Sequence, residues 1–376
     1  MHSRVSGGHQ LESSQRRCGA RGAGAVQLPR GRAARRGDID RPLQPSGQGG
    51  FHPMSISKQD LLQLADGWLA QGKQLIGPKR VKDGLIQYAR LEKASDLLLD
   101  GFLRPANSIK EAVFPRHEVL YRYRVDGKRI ELIDEEFTPP ETLVLGARPC
   151  DAAAFPILDP LFNWDYRDEF WNRRRAAATV VTVACETHDE HCFCTSVGLA
   201  PDAARGADAV LYPLGDAHFA IRQVTARGEA LFGQRQDEDW PPAPPGPPVR
   251  FDSERVTSFL AANFESPFWR AATLSCLGCG ACAYNCPVCH CFDIIDEKKA
   301  RVRNWDACQF GLFTLHASGH NPRNTQPERQ RQRLQHKFRI YREKFGEILC
   351  TGCGNCTRNC PAGLGVLNVL EAMPHG

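Results

Sequence analysis

Hydrophobic and polar positions change period several times along this chain. Leu61, Leu62, Leu64, Ala65, Trp68 and Leu69 recur at helical spacing, which predicts a helix from about Ser57 to Gly72. A second helix is expected around Lys93 to Leu99. The period then falls to two. Val119 to Val125 alternates, and Asp126-Gly127 reads as a hairpin turn into Lys128 to Ile133. Continuous apolar runs at Thr142 to Gly146 and Thr179 to Ala184 read as strands buried on both faces, with a short helix from Asp151 to Leu158 between them. Another pair of strands is expected between Ala209 and Val224.

After Trp240 the pattern stops at Pro241-Pro242-Ala243-Pro244-Pro245-Gly246-Pro247-Pro248, a density of proline that favours an extended spacer. Helical spacing resumes at Ser253 to Asn263 and again over Glu328 to Phe345. The expected class is therefore α+β. A mixed α/β domain covers 55–235, a proline-rich linker 236–250, and an all-helical domain 251–376.

Chemistry enters with the cysteines. Cys276, Cys279, Cys282 and Cys286 precede Pro287, and Cys350, Cys353, Cys356 and Cys360 precede Pro361. Each block is the C-x2-C-x2-C-x3-C-P run of bacterial two-cluster ferredoxins. Two-residue gaps let three sulfurs from one tight turn reach three corners of a cubane, and the fourth ligand comes from the other block. The expected first cluster sits on Cys276, Cys279, Cys282 and Cys360, and the second on Cys350, Cys353, Cys356 and Cys286. Structural zinc also uses C-x2-C pairs, but four cysteines in one repeated run fit it poorly.

A third group follows the two apolar strands: Cys150, Cys185, Cys192 and Cys194. Adjacent parallel strands would bring Cys150 and Cys185 to one sheet edge, where α/β proteins place their sites. Spacing leaves two main readings, a third cluster or buried free thiols, with zinc a lesser one. His188 and His191 stand near as further candidate ligands. Cys289-His290-Cys291 and Cys308 are read as metal ligands or as packing around the first block.

Sixteen cysteines in 376 residues do not make a small secreted disulfide scaffold, and cluster thiolates imply a reducing, cytoplasmic setting. No apolar run reaches the length of a membrane span, and the N-terminus has no signal-peptide core. The net charge of +5 is carried by the Arg/Gly-rich stretch 1–53, with nine Arg and three acidic residues. The remainder holds 39 basic and 40 acidic residues, which speaks against nucleic-acid binding. That stretch is expected to be disordered. It reads as a binding arm, a transit peptide, or upstream sequence from a start codon placed before Met54, the last being favoured. Between Arg323 and Lys344 lie eight Lys or Arg and two Glu, read as compensation of cluster charge, a docking face, or a solvated helix face.

The stretches GARPCDAAAF (146–155), CFCTSVG (192–198), CPVCHCFDIIDE (286–297), WDACQF (305–310), HASGHNPR (316–323) and ERQRQRLQHKF (328–338) together resemble one family. It comprises the beta (iron–sulfur) subunits of cytoplasmic sulfhydrogenases and the corresponding iron–sulfur subunits of anaerobic sulfite reductases. The resemblance covers about residue 60 to the end. It implies a ferredoxin-like protein with a large N-terminal extension that relays electrons between two partners. One is a flavin-bearing, NAD(P)-binding reductase subunit; the other is catalytic, of hydrogenase or sulfite reductase type. The resemblance favours a third 4Fe-4S cluster at Cys150, Cys185, Cys192 and Cys194. No catalytic residue is assigned. The rival readings are a self-contained reductase binding flavin or substrate in the α/β domain, although no G-x-G-x-x-G follows a strand, and a nucleic-acid-binding protein with structural clusters.

Overall fold

The computed structural model describes residues 55–133, 136–215, 217–233 and 241–374, which fall in one compact unit, Phe51–Gly376. The 1–53 stretch, Cys18 and residues 236–240 of the expected linker lie outside the described residues.

Seven strands form the main sheet: β1 (Ser55–Ser57), β2 (Gln74–Arg80), β3 (Ile86–Leu91), β6 (Thr142–Ala147), β7 (Ala178–Val183), β8 (Ala209–Pro213) and β9 (His218–Gln223). Their order is β1-β9-β8-β7-β6-β2-β3. The central neighbours β2, β6, β7 and β8 run parallel, and β3, β9 and β1 complete the sheet antiparallel. Every residue of β6 is buried, as expected for a parallel strand covered on both faces. Leu143, Leu145, Val181 and Leu211 face Leu61 and Ala65 of the helix Lys58–Ala70. Val144, Val180 and Val210 face the opposite layer, with Phe114, Phe155 and Trp171. The helix expected near Lys93 is a single 3-10 turn, Ala94–Asp96. Leu97 and Leu99 beyond it lie outside any helix and are buried with the core of the main sheet, so their apolar pattern serves packing.

The second sheet corrects the all-helical expectation for 251–376. Strands β10 (Phe292–Glu297) and β11 (Ala300–Trp305) form a hairpin, and β4 (His117–Asp126) with β5 (Arg129–Ile133) forms another. β11 pairs antiparallel with β4, registering Val302 on Val119 and Asn304 on His117, to give the order β10-β11-β4-β5. The two halves of the chain therefore share a sheet. They also share a core, since Ala283, Val288, Trp305, Ala307, Tyr341 and Leu349 pack in the Phe114–Phe155–Trp171 layer. The proline segment is laid along this body. Thr195 Oγ1 donates to Pro247 O at 2.6 Å, and the Arg250 amide donates to Ser196 Oγ at 2.8 Å.

Across the shared sheet, Glu118 accepts from Arg303 Nε at 2.9 Å and also pairs with Arg174, while Arg303 reaches Asp168. Glu118 and Arg303 side chains are 1% and 5% exposed. Removing one partner of such a group leaves the other charge buried and unmatched, which costs about 3–5 kcal/mol. Glu118→Ala is expected to lower stability by that amount in a denaturant titration of the full chain. A loss below about 1 kcal/mol, the range of exposed pairs, would mean that the network does not join the halves.

Candidate functional site

The two cysteine blocks are built alike. Gly280 and Gly354 adopt φ of +75° and +73°, and each opens a one-turn helix, Ala281–Tyr284 and Asn355–Arg358. These two helices pack on one another, which brings the ends of the two blocks together. Cys276, Cys279, Cys282 and Cys360 line one cavity together with Gln330 and Leu364. Cys286, Cys350, Cys353 and Cys356 are all buried. Burial pushes the Cys350 thiol up to about 12, and Lys337 opposes that while Cys286 adds to it. Burial likewise raises Cys353 to about 11, against the pull of Arg104 and again with Cys286 adding. Thiols held this high stay protonated at neutral pH. Metal binding there must displace protons, which couples occupancy to folding.

The third group converges as the strand order requires. Leu145 and Val181 are in register on parallel β6 and β7. Just beyond them, Cys150 lies in the first turn of the helix Pro149–Ala152 and Cys185 follows Val183. Cys192 and Cys194 close the same cavity, and Phe193 between them is buried in the core around the second block. His188 also lines this cavity, together with Gly352 and Cys353 of the second block. The contact is close. A side chain on Gly352, whose φ is +64°, would come within 2.5 Å of the Cys194 Cα, and the Phe193 amide donates to Gly352 O at 2.8 Å. Only glycine permits that approach.

Buried cations surround these thiols. Arg104 Nη1 donates to Cys150 Sγ at 2.7 Å and its Nη2 to both oxygens of Asp151 at 2.9 Å. Asp151 in turn accepts from Tyr88 Oη at 2.9 Å. Arg358 Nη2 donates to Cys192 Sγ at 3.1 Å while paired with Asp189, whose carboxyl it holds well below the usual carboxylate range against the effect of burial. Sequence reasoning missed Arg104, Tyr88 and Asp151. Arg104 and Tyr88 lie in no motif, and only the position of Asp151 next to Cys150 marked it.

The basic segment 323–344 forms a face turned towards the cysteines. The helix Gln326–Gln335 continues through a π-turn, His336–Ile340, into Tyr341–Phe345. Gln326, Gln330, Arg333 and Lys337 recur on one face. Gln326 Nε2 and Gln330 Nε2 donate to Cys276 Sγ at 3.1 and 2.9 Å, and Lys337 Nζ donates to Cys286 Sγ at 3.4 Å. The solvated-face reading holds for Arg339, which pairs with Glu343 at 2.9 Å, and fails for Arg333 and Lys337, which are buried.

Cys289, His290, Cys291 and Cys308 do not meet as one ligand set. Cys289 instead acts chiefly on Cys286, and Cys291 on Cys308, whose thiol is drawn down to about 6. His290 bonds Val288 O at 3.1 Å, and burial lowers it to about 3. Among the described residues, no three His, Cys, Asp or Glu side chains close on a single ion. Thiolates around a polynuclear core stand further apart than those around one zinc.

All-cysteine donor sets, glycine turns and N–H groups directed at sulfur define an iron–sulfur protein of the dicluster ferredoxin class, and comparison agrees. The family described as "4Fe-4S dicluster domain" matches residues 275–364. Sulfhydrogenase 2 subunit beta of Pyrococcus furiosus is 30% identical over 253 residues, covering 62% of this chain and 74% of that protein. No solved structure matches. The chain belongs to the 4Fe-4S dicluster family of sulfhydrogenase beta subunits.

Proposed function

We propose that this chain is the iron–sulfur electron-transfer subunit of a cytoplasmic oxidoreductase complex of hydrogenase or sulfite reductase type. In this reading Cys276, Cys279, Cys282 and Cys360 hold one 4Fe-4S cluster. Cys350, Cys353, Cys356 and Cys286 hold a second, and Cys150, Cys185, Cys192 and Cys194 hold a third. When bound, such clusters take up and release single electrons. The chain would work between a flavin-bearing, NAD(P)-binding reductase partner and a catalytic partner.

The observation that carries the reading is contiguity. Gly352 and Cys353, within the second block, also line the cavity of the third set. The one-turn helices of the first and second blocks pack together. In this reading the second set adjoins both others, so electrons would pass from third to second to first or the reverse. Arg104 serves the join at one end, its charge acting on both Cys150 and Cys353. At the other end Cys279 is exposed while the ligands of the second set are buried. That asymmetry suits a relay whose terminal member meets a partner and whose middle member is shielded from water. Among the described residues no helix is long and apolar enough to cross a membrane.

The test is anaerobic reconstitution of the full chain. About twelve iron per chain are expected, as three cubanes require, with no flavin in the absorbance spectrum. About eight iron would remove the third site, and stoichiometric flavin would favour a self-contained reductase.

A further inference from the structure

Arg333 is buried to 3% exposure, and its Nε and Nη2 have no hydrogen-bond partner among the protein groups. An arginine in that position is unusual. Guanidinium donors taken out of water without acceptors are costly, and Arg333 does not form an ion pair with any described carboxylate. The groups whose charge acts most strongly on it are cysteines. Burial lowers its proton affinity, and attraction to Cys282, Cys356, Cys289 and Cys308 more than restores it. Cys282 belongs to the first set and Cys356 to the second. The rest of the helix face divides between the sets. Gln326 and Gln330, both neutral, serve Cys276, and Lys337 serves Cys286. Arg333 stands between them on the same face, one turn before Lys337 and next to the π-turn, a feature that recurs at functional sites.

We propose that Arg333 is a shared counter-ion for the first two cysteine sets. Its unmatched N–H groups donate to the sulfur-rich cores that Cys282 and Cys356 hold, and its charge favours an added electron on either side. The proposal rests on the cluster reading of those two sets. It makes Arg333 a positioning residue for charge: it raises the potentials of both couples together and leaves the gap between them unchanged. Arginine suits this role because its charge persists at any physiological pH and its donors point in fixed directions towards two sides at once.

The experiment is a redox titration of the reconstituted full chain followed by electron paramagnetic resonance, with iron content measured on the same samples. Arg333→Gln is expected to reduce the equilibrium constant for reduction about tenfold at both the first and the second site, ~59 mV for each one-electron couple. The third site should stay within a third of that shift, since Arg333 is not among the principal charges acting on Cys150, Cys185 or Cys194. Arg339→Gln, on the outer face of the same run, should move none of them. Full iron with both couples unmoved would overturn the proposal and leave Arg333 as a water-satisfied structural residue. Movement of one couple alone would overturn the shared role. If Arg333→Gln loses iron, Arg333→Lys decides. Both potentials near the parent values support the charge argument, and a fall as large as a tenfold change at both sites refutes it. Failure of the cluster reading itself would register separately, as low iron in the unaltered chain.

Discussion

A fragment ending at residue 240 should fail to hold iron at Cys150, Cys185, Cys192 and Cys194, although all four of those ligands lie within it. The sequence pattern predicts an α/β half that stands as a domain with its own cysteine site, joined to the rest by a proline spacer. In the folded chain that site is completed from the spacer itself and from beyond it. Pro245 and Pro247 line its cavity together with Gly352 and Cys353. Arg358 grips Cys192 and Asp189, fixing the loop that carries two of the four cysteines. The cut also strips β11 from β4, leaving an open strand edge that invites aggregation. It removes Trp305, which stacks on Phe114 at 6.0 Å between centroids and donates from Nε1 to Phe114 O at 3.1 Å. Arg303 is lost from Glu118 at the same time. Anaerobic reconstitution of residues 55–240 is therefore expected to give iron far below the cubane requirement of about four per chain and a protease-sensitive product, whereas 55–376 gives the full complement. Retention of about four iron by a stable fragment, one cubane, would show that the site is autonomous and the shared sheet incidental.

Cys286→Ser should cost the cluster of the second block and spare that of its own. Cys286 ends the first block, yet its neighbours are those of the second. It raises the Cys350 and Cys353 thiols and accepts from Lys337, which also bonds Leu349 O at 3.2 Å just before Cys350. Cys360 reciprocates by lining the cavity of Cys276, Cys279 and Cys282. Iron is expected to fall by about four per chain, with the spectroscopic signal of the first site intact. Cys360→Ser should give the complementary loss. Each crossed ligand closes the long segment between the blocks, so either variant should also lower the unfolding midpoint, because metal affinity is part of the folding free energy. If Cys286→Ser erased the first site's signal and kept the second's, the crossing would be wrong, and the packing of the two one-turn helices would need another explanation.

Much of the fold was legible because its signals are local. The Asp126-Gly127 turn, the buried runs of β6 and β7, and the helix over Lys58–Ala70 each follow from a few adjacent residues. The β10-β11 hairpin was not legible. Phe292, Ile294 and Ile295 of β10 are among the exposed apolar residues, and β11 buries an arginine, Arg303, where alternation would place an apolar side chain. That arginine makes sense only against Glu118, which lies 185 residues away in sequence. Strands β2 and β3 were hidden too. β2 carries Pro78, Lys79 and Arg80 and gave no alternation, although it sits inside the main sheet.

The same division runs through the site. By itself the sequence marked the candidate ligands and the two ferredoxin-type turns, because two-residue gaps and left-handed glycines are properties of a few bonds in succession. It also determined that Cys150 and Cys185 would share an edge, since parallel neighbouring strands end side by side. Tertiary structure alone decided the rest. It brought Gly352 against Cys194, so that the third set touches the second. It turned Gln330, Arg333 and Lys337 inward out of a segment whose composition resembled a solvated face. It also set Arg104 and Tyr88 around Asp151. Burial of a charge is decided by what lies opposite it, and no spacing within a segment records its partner across the fold.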